Sequence, residues 1–263
     1  MRKFLIVCVL ILSCSCSAFA EGLKIGMLSK AGNSNIGRKD LSQQWRWTVM
    51  KGDHGDSDTY LFYDDLAAML MALVANEVDE IALPEPVAEY FVDNNPDYEI
   101  SCVIRSGRYG FVFGFLDSND DLRKKFDETL LSMRADRTLE RLENEYLGFH
   151  SEKKEQAVKF DHFPGAGVIK VALTGDVPPI DYVAPDGNPA GFNTAVLAEI
   201  GRRLKINIST TNVHAVSRAA ALASGRAAAV FWFIAYKFDM PENIKFSVPY
   251  CEFNTFLHVR AKK

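Results

Sequence analysis

Apolar positions along this chain fall into short runs separated by amphipathic stretches, and they do so in two blocks. In the first block, residues 24–28 and 59–62 are strand-like runs. Asp64 and Asp65 precede a strongly apolar helix reaching about residue 75, which puts acids at the positive end of its dipole. Residues 80–83 predict a strand, and Pro86 sits early in the following helix, where its missing N–H forfeits no hydrogen bond. Residues 100–104 and 109–115 predict two further strands. Asp117-Ser118-Asn119 predicts the cap of a helix over 120–133, and a second helix runs to Tyr146 and stops at Gly148.

A polar stretch without period, 151–163, followed by Pro164-Gly165, predicts a linker. The second block then predicts strands over 169–173, 206–209, 227–233 and 253–259, with helices over 192–204 and 216–224. Pro178-Pro179 and Pro185-Asp186-Gly187-Asn188 read as turns, and Gly225 as a helix stop. Strands alternating with helices imply an α/β fold with parallel sheets flanked by helices.

The first 20 residues read differently. Arg2 and Lys3 precede an apolar run, 4–12, too short to span a bilayer, and Ala18-Phe19-Ala20 offers small residues where a signal peptidase cuts. A signal peptide over 1–20 and a periplasmic location are therefore expected, with a buried N-terminal helix as the alternative. Leu12-Ser13-Cys14 is a poor version of a lipid-attachment site, which leaves anchoring at Cys14 or Cys16 open. Of the 263 residues, 48% are hydrophobic, enough for two modest cores or one large one, and this argues against disorder. The formal net charge of −4 grows more negative once Arg2 and Lys3 are removed, which speaks against nucleic acid as a partner.

Cys102 and Cys251 remain beyond the signal segment, and an oxidising compartment allows a disulfide between them as readily as two buried thiols. His54, His150, His162, His214 and His258 are scattered. With no metal-ligand spacing, no Ser/His/Asp or Cys/His pattern and no Gly-rich phosphate loop, neither a metal, a cofactor nor an enzymatic activity is expected.

Ile169-Lys170-Val171-Ala172 with Pro178-Pro179, the stretch Asp186-Gly187-Asn188-Pro189-Ala190-Gly191-Phe192-Asn193, the helix end Ala221-Leu222-Ala223-Ser224-Gly225 and the run Phe246-Ser247-Val248-Pro249-Tyr250 stand in that order. Together they resemble the opening half of the amino-acid-type extracellular solute-binding proteins of ABC importers. The first block is similar to that family's closing half, through Ala72-Leu73 with Asn76, Val78, Asp79 and Ile81, through Tyr109-Gly110-Phe111, and through Ala135-Asp136-Arg137-Thr138-Leu139 with Tyr146-Leu147-Gly148. The resemblance spans nearly all of the chain after residue 20, with the halves in swapped order. It implies a two-lobed, type II periplasmic-binding-protein fold of the α/β class in permuted form, and a monomer. Residues 21–116 would form one lobe, 117–148 helices returning to the other, 149–167 the joining linker, 168–250 the second lobe and 251–263 a crossover strand. A tandem of unrelated half-domains and a swapped dimer are the alternatives.

In that family an Arg on one lobe forks onto the ligand's carboxylate and an Asp on the other takes its ammonium. Here the Arg position falls at Met240, with Lys237 nearby, and the Asp position falls at Pro84, with Glu85 next door. These departures predict weak binding of common L-amino acids. The candidate ligand contacts are Asn33, Ser34, Glu85, Asp176, Tyr182, Asn193, Trp232 and Lys237. Several have plainer readings: Asn33 and Ser34 as a helix cap, Glu85 as a helix-start acid, Lys237 as a solvated lysine, and Trp232 as core on a strand whose side chains alternate. The function implied is binding of a small polar, amino-acid-like solute and its delivery to an ABC permease. A ligand-sensing receptor that has lost transport is the alternative the departures favour. An enzyme recruiting Asp176, Asp181 or Glu85 is a third.

Overall fold

A computed structural model describes residues 22–28, 58–63, 65–148, 156–214, 217–235 and 243–262. In the first block β1 (Lys24–Leu28) lies between two parallel neighbours, β2 (Thr59–Tyr63) and β3 (Glu80–Pro84). The connection from β2 to β3 is α1 (Leu66–Val74), capped by Asp65, whose carboxylate accepts a 2.7 Å hydrogen bond from Ala68 N. Helix α1 turns Leu66, Met69 and Leu73 into the core and contains no charged residue. After β3 comes α2 (Glu85–Asn94), with Pro86 in its first turn as expected.

The two strands predicted over 100–104 and 109–115 are one, β4 (Tyr98–Leu116), 19 residues long. Both of its ends have partners, so the backbone stays extended between them. The last strand, β12 (Cys251–Ala261), pairs antiparallel with β4 from Tyr98 to Phe111, with a register shift between Phe253 and Thr255. A single 3-10 turn, Asp117–Asn119, then leads into α3 (Asp120–Ala135). The expected side-chain cap is not made there. Asp120, inside the first turn, pairs instead with Arg123 and Lys124, which hold its carboxyl at about 2. Helix α4 (Thr138–Tyr146) follows.

The second block runs β5 (Val168–Leu173), the short strands β6 (Asp176–Val177), β7 (Asp181–Val183) and β8 (Pro189–Ala190), α5 (Phe192–Leu204), β9 (Asn207–Asn212), α6 (Arg218–Ala223), β10 (Ala229–Ala235) and β11 (Ile244–Phe246). Gly191, between β8 and α5, has φ +95°, and a Cβ there would lie 2.6 Å from the carbonyl oxygen of Ile180, so only glycine fits. The polar stretch expected to be a free linker is tied down at its described end. Val158 N donates to Pro189 O, and the Asn207 side chain holds both Phe163 N and Phe163 O.

The main sheet has the order β2-β1-β3-β12-β4-β10-β5-β9, with β11 also on β4. One pattern occurs in it twice. In β2-β1-β3-β12-β4 a central strand has two parallel neighbours, then an antiparallel strand, then another. In β9-β5-β10-β4-β11 the same order and directions recur, with the far end of β4 as the antiparallel strand. Helices α3 and α4 pack on α5. Phe126 of α3 lies edge-on to Phe113 and Phe115 of β4, at 5.2 Å from each. Arg203 of α5 reaches Ser132, Asp136 and Thr138 across that junction.

Cys102 and Cys251 are not joined by a disulfide, so of the two readings the sequence left open the thiol one holds. On the β4–β12 ladder Cys102 faces His258 while Cys251 faces Phe111. The two cysteines are thus offset by about seven strand residues, over 20 Å at about 3.3 Å each, beyond the roughly 7 Å a disulfide spans. Burial pushes the Cys251 thiol well up, with Glu143 beside it adding to the rise. No helix among the described residues is long and apolar enough to cross a membrane.

Candidate functional site

Strand β5 sits where chain connections diverge: the path out of it goes to β9 on one side and then returns past it to β10 on the other. In open α/β sheets, ligands bind outside the carboxyl end of such a strand. Here that end is Thr174-Gly175-Asp176. Gly175 has φ +75°, and a Cβ there would press on the Asn212 side chain, so the turn needs glycine.

Asp181, 2% exposed, organises this turn. It accepts from Thr174 N and Thr174 Oγ1 at 2.9 Å and from Gly175 N at 3.2 Å. Burial raises its carboxyl, and the Thr174 hydrogen bonds and the Arg218 charge draw it partly back. Asp176, paired in register with Tyr182, is also raised by burial. Thr174 and Arg218 offset part of the rise and the charge of Asp65 adds to it. Its Oδ1 is buried with no hydrogen-bond partner among the described residues.

Arg218 opens α6, half-buried, with its guanidinium 5.8 Å from the centre of the Trp232 ring. Burial lowers its pKa, opposed by Asp181, Asp176 and Tyr250. Among the described residues no ion pair or hydrogen bond is made by its five donors. Tyr250, 1% exposed, donates to Asn193 Oδ1 at 2.9 Å, and burial raises the phenol well above its usual value. The group has a guanidinium, a buried unpartnered carboxylate oxygen and a fixed phenol–amide pair around the end of β5. It can hold a small ligand carrying both charge and hydrogen-bonding groups.

Of the residues singled out from sequence, Asp176 lies at the centre of this group. Asn193 stands beneath it as the acceptor for Tyr250. Trp232, 7% exposed, packs with Val112, Leu222 and Val230 and edge-on to Phe246 at 5.3 Å. It is core and meets the group only through Arg218. Tyr182, 9% exposed, packs with Ala184 and Ala190 behind β6. Glu85 starts α2 in the first block, as the plainer reading had it. Asn33, Ser34 and Lys237, like Met240, lie outside the described residues. Asp181, Arg218 and Tyr250 were not singled out as contacts. The available signals were Arg218 standing alone in an alanine-rich helix and Asp181 falling two residues after Pro178-Pro179. Among the described residues no group of three or more metal-ligating side chains comes together.

A family comparison covers the segment that carries this arrangement. Residues 169–263 match the bacterial extracellular solute-binding proteins, family 3. The solute-binding-protein resemblance read from the sequence is borne out over that segment, which holds β5, Asp176, Asp181, Arg218 and Tyr250, and the mixed sheet with its helices bears out the α/β class. Among solved structures, the chain is similar to the ligand-binding component of an ABC-type import system from Staphylococcus aureus with zinc bound. The identity is 11% and the TM-score 0.45, over 91% of this chain and 65% of that one. It is also similar to the phosphate-binding protein of a phosphate ABC transporter from Streptococcus pneumoniae, at 8% identity and TM-score 0.37, over 92% and 87%. CbnR complexed with its target DNA is similar at 9% identity and TM-score 0.42, over 92% and 64%. This chain spans just under two thirds of the length of the first relative. No curated protein matches it.

Proposed function

We propose that the protein is an exported solute-binding protein that takes a small, polar, amino-acid-like solute at the carboxyl end of β5 and passes it to an ABC importer. The observation that carries this reading is the buried Oδ1 of Asp176, without a partner among the described residues, within reach of the Arg218 charge at the switch point of the segment that matches the solute-binding family. Arg218 supplies a planar fork for an anionic group, which the motif position at Met240 lacks.

The recurrence of one strand pattern in the two blocks supports a two-lobed, permuted arrangement, in which 21–116 with 251–263 and 168–250 with 117–148 each make one lobe. Lobes joined by β4 and β12 close when a ligand meets both faces, because only the closed form makes both sets of contacts.

Native mass spectrometry on protein purified without denaturation tests the reading. A small-molecule adduct is expected in the wild type and absent in Arg218→Ala. An adduct retained in Arg218→Ala, or no adduct together with no calorimetric binding of any amino acid, contradicts it. The departures at Met240 and Pro84 favour a receptor without transport as the second reading, and co-purification of permease subunits with the protein separates the two.

A further inference from the structure

The first block buries a polar pair that the site at β5 does not use. His258 of β12 is fully buried, and its Nδ1 lies 2.9 Å from a carboxylate oxygen of Glu80 of β3, itself 4% exposed. Ala82 and Phe256, on the same face of the sheet, belong to an apolar cluster with Ile25 and Met27. The ladder already joins β3 to β12 over four residue pairs. Holding the strands together therefore does not require a buried polar pair, whose desolvation costs stability.

On its other side β12 pairs with β4, and the residue directly opposite His258 there is Cys102. Opposed residues of antiparallel strands project to the same face, with Cβ atoms about 4.5–5.5 Å apart. Glu80, His258 and Cys102 thus lie in a row across the adjacent strands β3, β12 and β4. The ladder slips at this point, between His258 and Val259. Ser101, the residue left over, donates from Oγ to His258 O at 3.3 Å. Bulges of this kind re-aim a neighbouring side chain.

A row does not surround a point, and no metal-holding group forms among the described residues. It does have the order of a nucleophile, a base and a group that orients the base. An ionised carboxylate only accepts hydrogen bonds, so Glu80 places the ring hydrogen on Nδ1 and leaves Nε2 as the basic nitrogen. Of the three residues Cys102 is the half-buried one, so it is the one that a solute reaches.

We propose that Cys102 is a reactive thiol that exchanges with low-molecular-weight disulfides, with His258 as its base and Glu80 orienting the ring. The thiol proton passes to His258 Nε2 as the Cys102 sulfur attacks one sulfur of the reagent. The S–S bond of the reagent breaks, a new S–S bond forms at Cys102, and the leaving thiolate takes the proton back as a thiol. Cys102 is oxidised and the leaving sulfur reduced, so the disulfide is the only oxidant needed. This site is separate from the one at the end of β5 and stands or falls independently of it.

The probes are oxidised glutathione and hydroxyethyl disulfide, added to the intact protein at neutral pH, with peptide mapping to follow the mixed disulfide at Cys102 over time. Half-burial alone makes a folded cysteine react more slowly than the same cysteine in the urea-unfolded chain. The relay is expected to make it faster, by about tenfold or more. Glu80→Gln keeps the size and a hydrogen-bonding group. It is expected to lose most of that advantage and to change the pH profile of the rate, which a merely structural Glu80 would not do. His258→Gln is expected to lose the advantage entirely. Circular dichroism shows whether each variant is folded, and the wild-type comparison decides where one is not. A folded wild-type rate at or below the unfolded rate overturns the inference. So does a folded Glu80→Gln or His258→Gln variant that exchanges as fast as wild type.

Discussion

Helix α3 lies between the blocks in sequence, and Phe126 is the largest side chain it buries. Phe126 is fully buried and meets Phe113 and Phe115 edge-on at 5.2 Å. Those two residues lie on the half of β4 that pairs with β10 and β11. Phe126→Ala removes a whole ring from this junction and leaves a cavity that Phe113 and Phe115, held in the ladder, cannot collapse to fill. Losses for such a change run about 3–5 kcal/mol, with two edge-to-face contacts placing this one toward the upper end. Against a total stability of about 5–15 kcal/mol that is a large share, equivalent to a fall in melting temperature on the order of 10 °C. Leu131 on the same helix is 49% exposed, and Leu131→Ala is expected to cost under about 1 kcal/mol. Urea unfolding of the two variants, read by circular dichroism and by tryptophan fluorescence, measures both losses. Equal losses, or a loss below about 1 kcal/mol for Phe126→Ala, would refute the placement of α3.

Further predictions concern the site and its supports. Asp181→Ala strands Thr174 N and Gly175 N, so a loss of about 2–4 kcal/mol is expected in the same unfolding assay, with Asp181→Asn milder because it keeps an acceptor. Gly191→Ala forces a Cβ to within 2.7 Å of two backbone carbonyl oxygens at φ +95° and should cost more than about 2 kcal/mol or abolish soluble expression. Asp176 has a raised folded-state pKa, so its ionisation opposes folding above that value, and the penalty vanishes as pH falls to the ordinary carboxylate value near 3.8. Asp176→Asn should therefore stabilise the unliganded protein most at neutral pH, with the gain shrinking in acid; a gain that grows in acid would contradict the assigned cause. Thiol titration without reductant should find Cys102 and Cys251 both reactive after unfolding, and Cys251 unreactive before it.

The element order was legible in the sequence because period-2 and period-3.6 patterns persist where each element buries one face. Helix α5 was expected over its full span, and β1 and β3 within a residue. Continuity of β4 was not legible: Arg105-Ser106-Gly107-Arg108 reads as a break, and only the pairing of β12 on one side and β10 on the other keeps the strand running. The site was half legible. Asp176 stands out beside Pro178-Pro179, but its orphaned oxygen is a fact of burial. Arg218 becomes informative only once Trp232, Asp176 and Asp181 are brought to it from three different elements. Asp65 read correctly as a helix-start acid, and the packing of α1 on β6 is a tertiary contact between elements about 100 positions apart, which no local pattern encodes.

Hydrogen exchange on the protein as purified, compared with the same protein stripped of small molecules by unfolding, dialysis and refolding, tests most directly that a solute is held between the two blocks. The account predicts that the bound form gains protection at Thr174–Asp176 and at the start of α6 in one block, and together with them in α1, which packs on β6, in the other. Protection gained in one block alone, or in neither while a ligand is demonstrably bound, would contradict it.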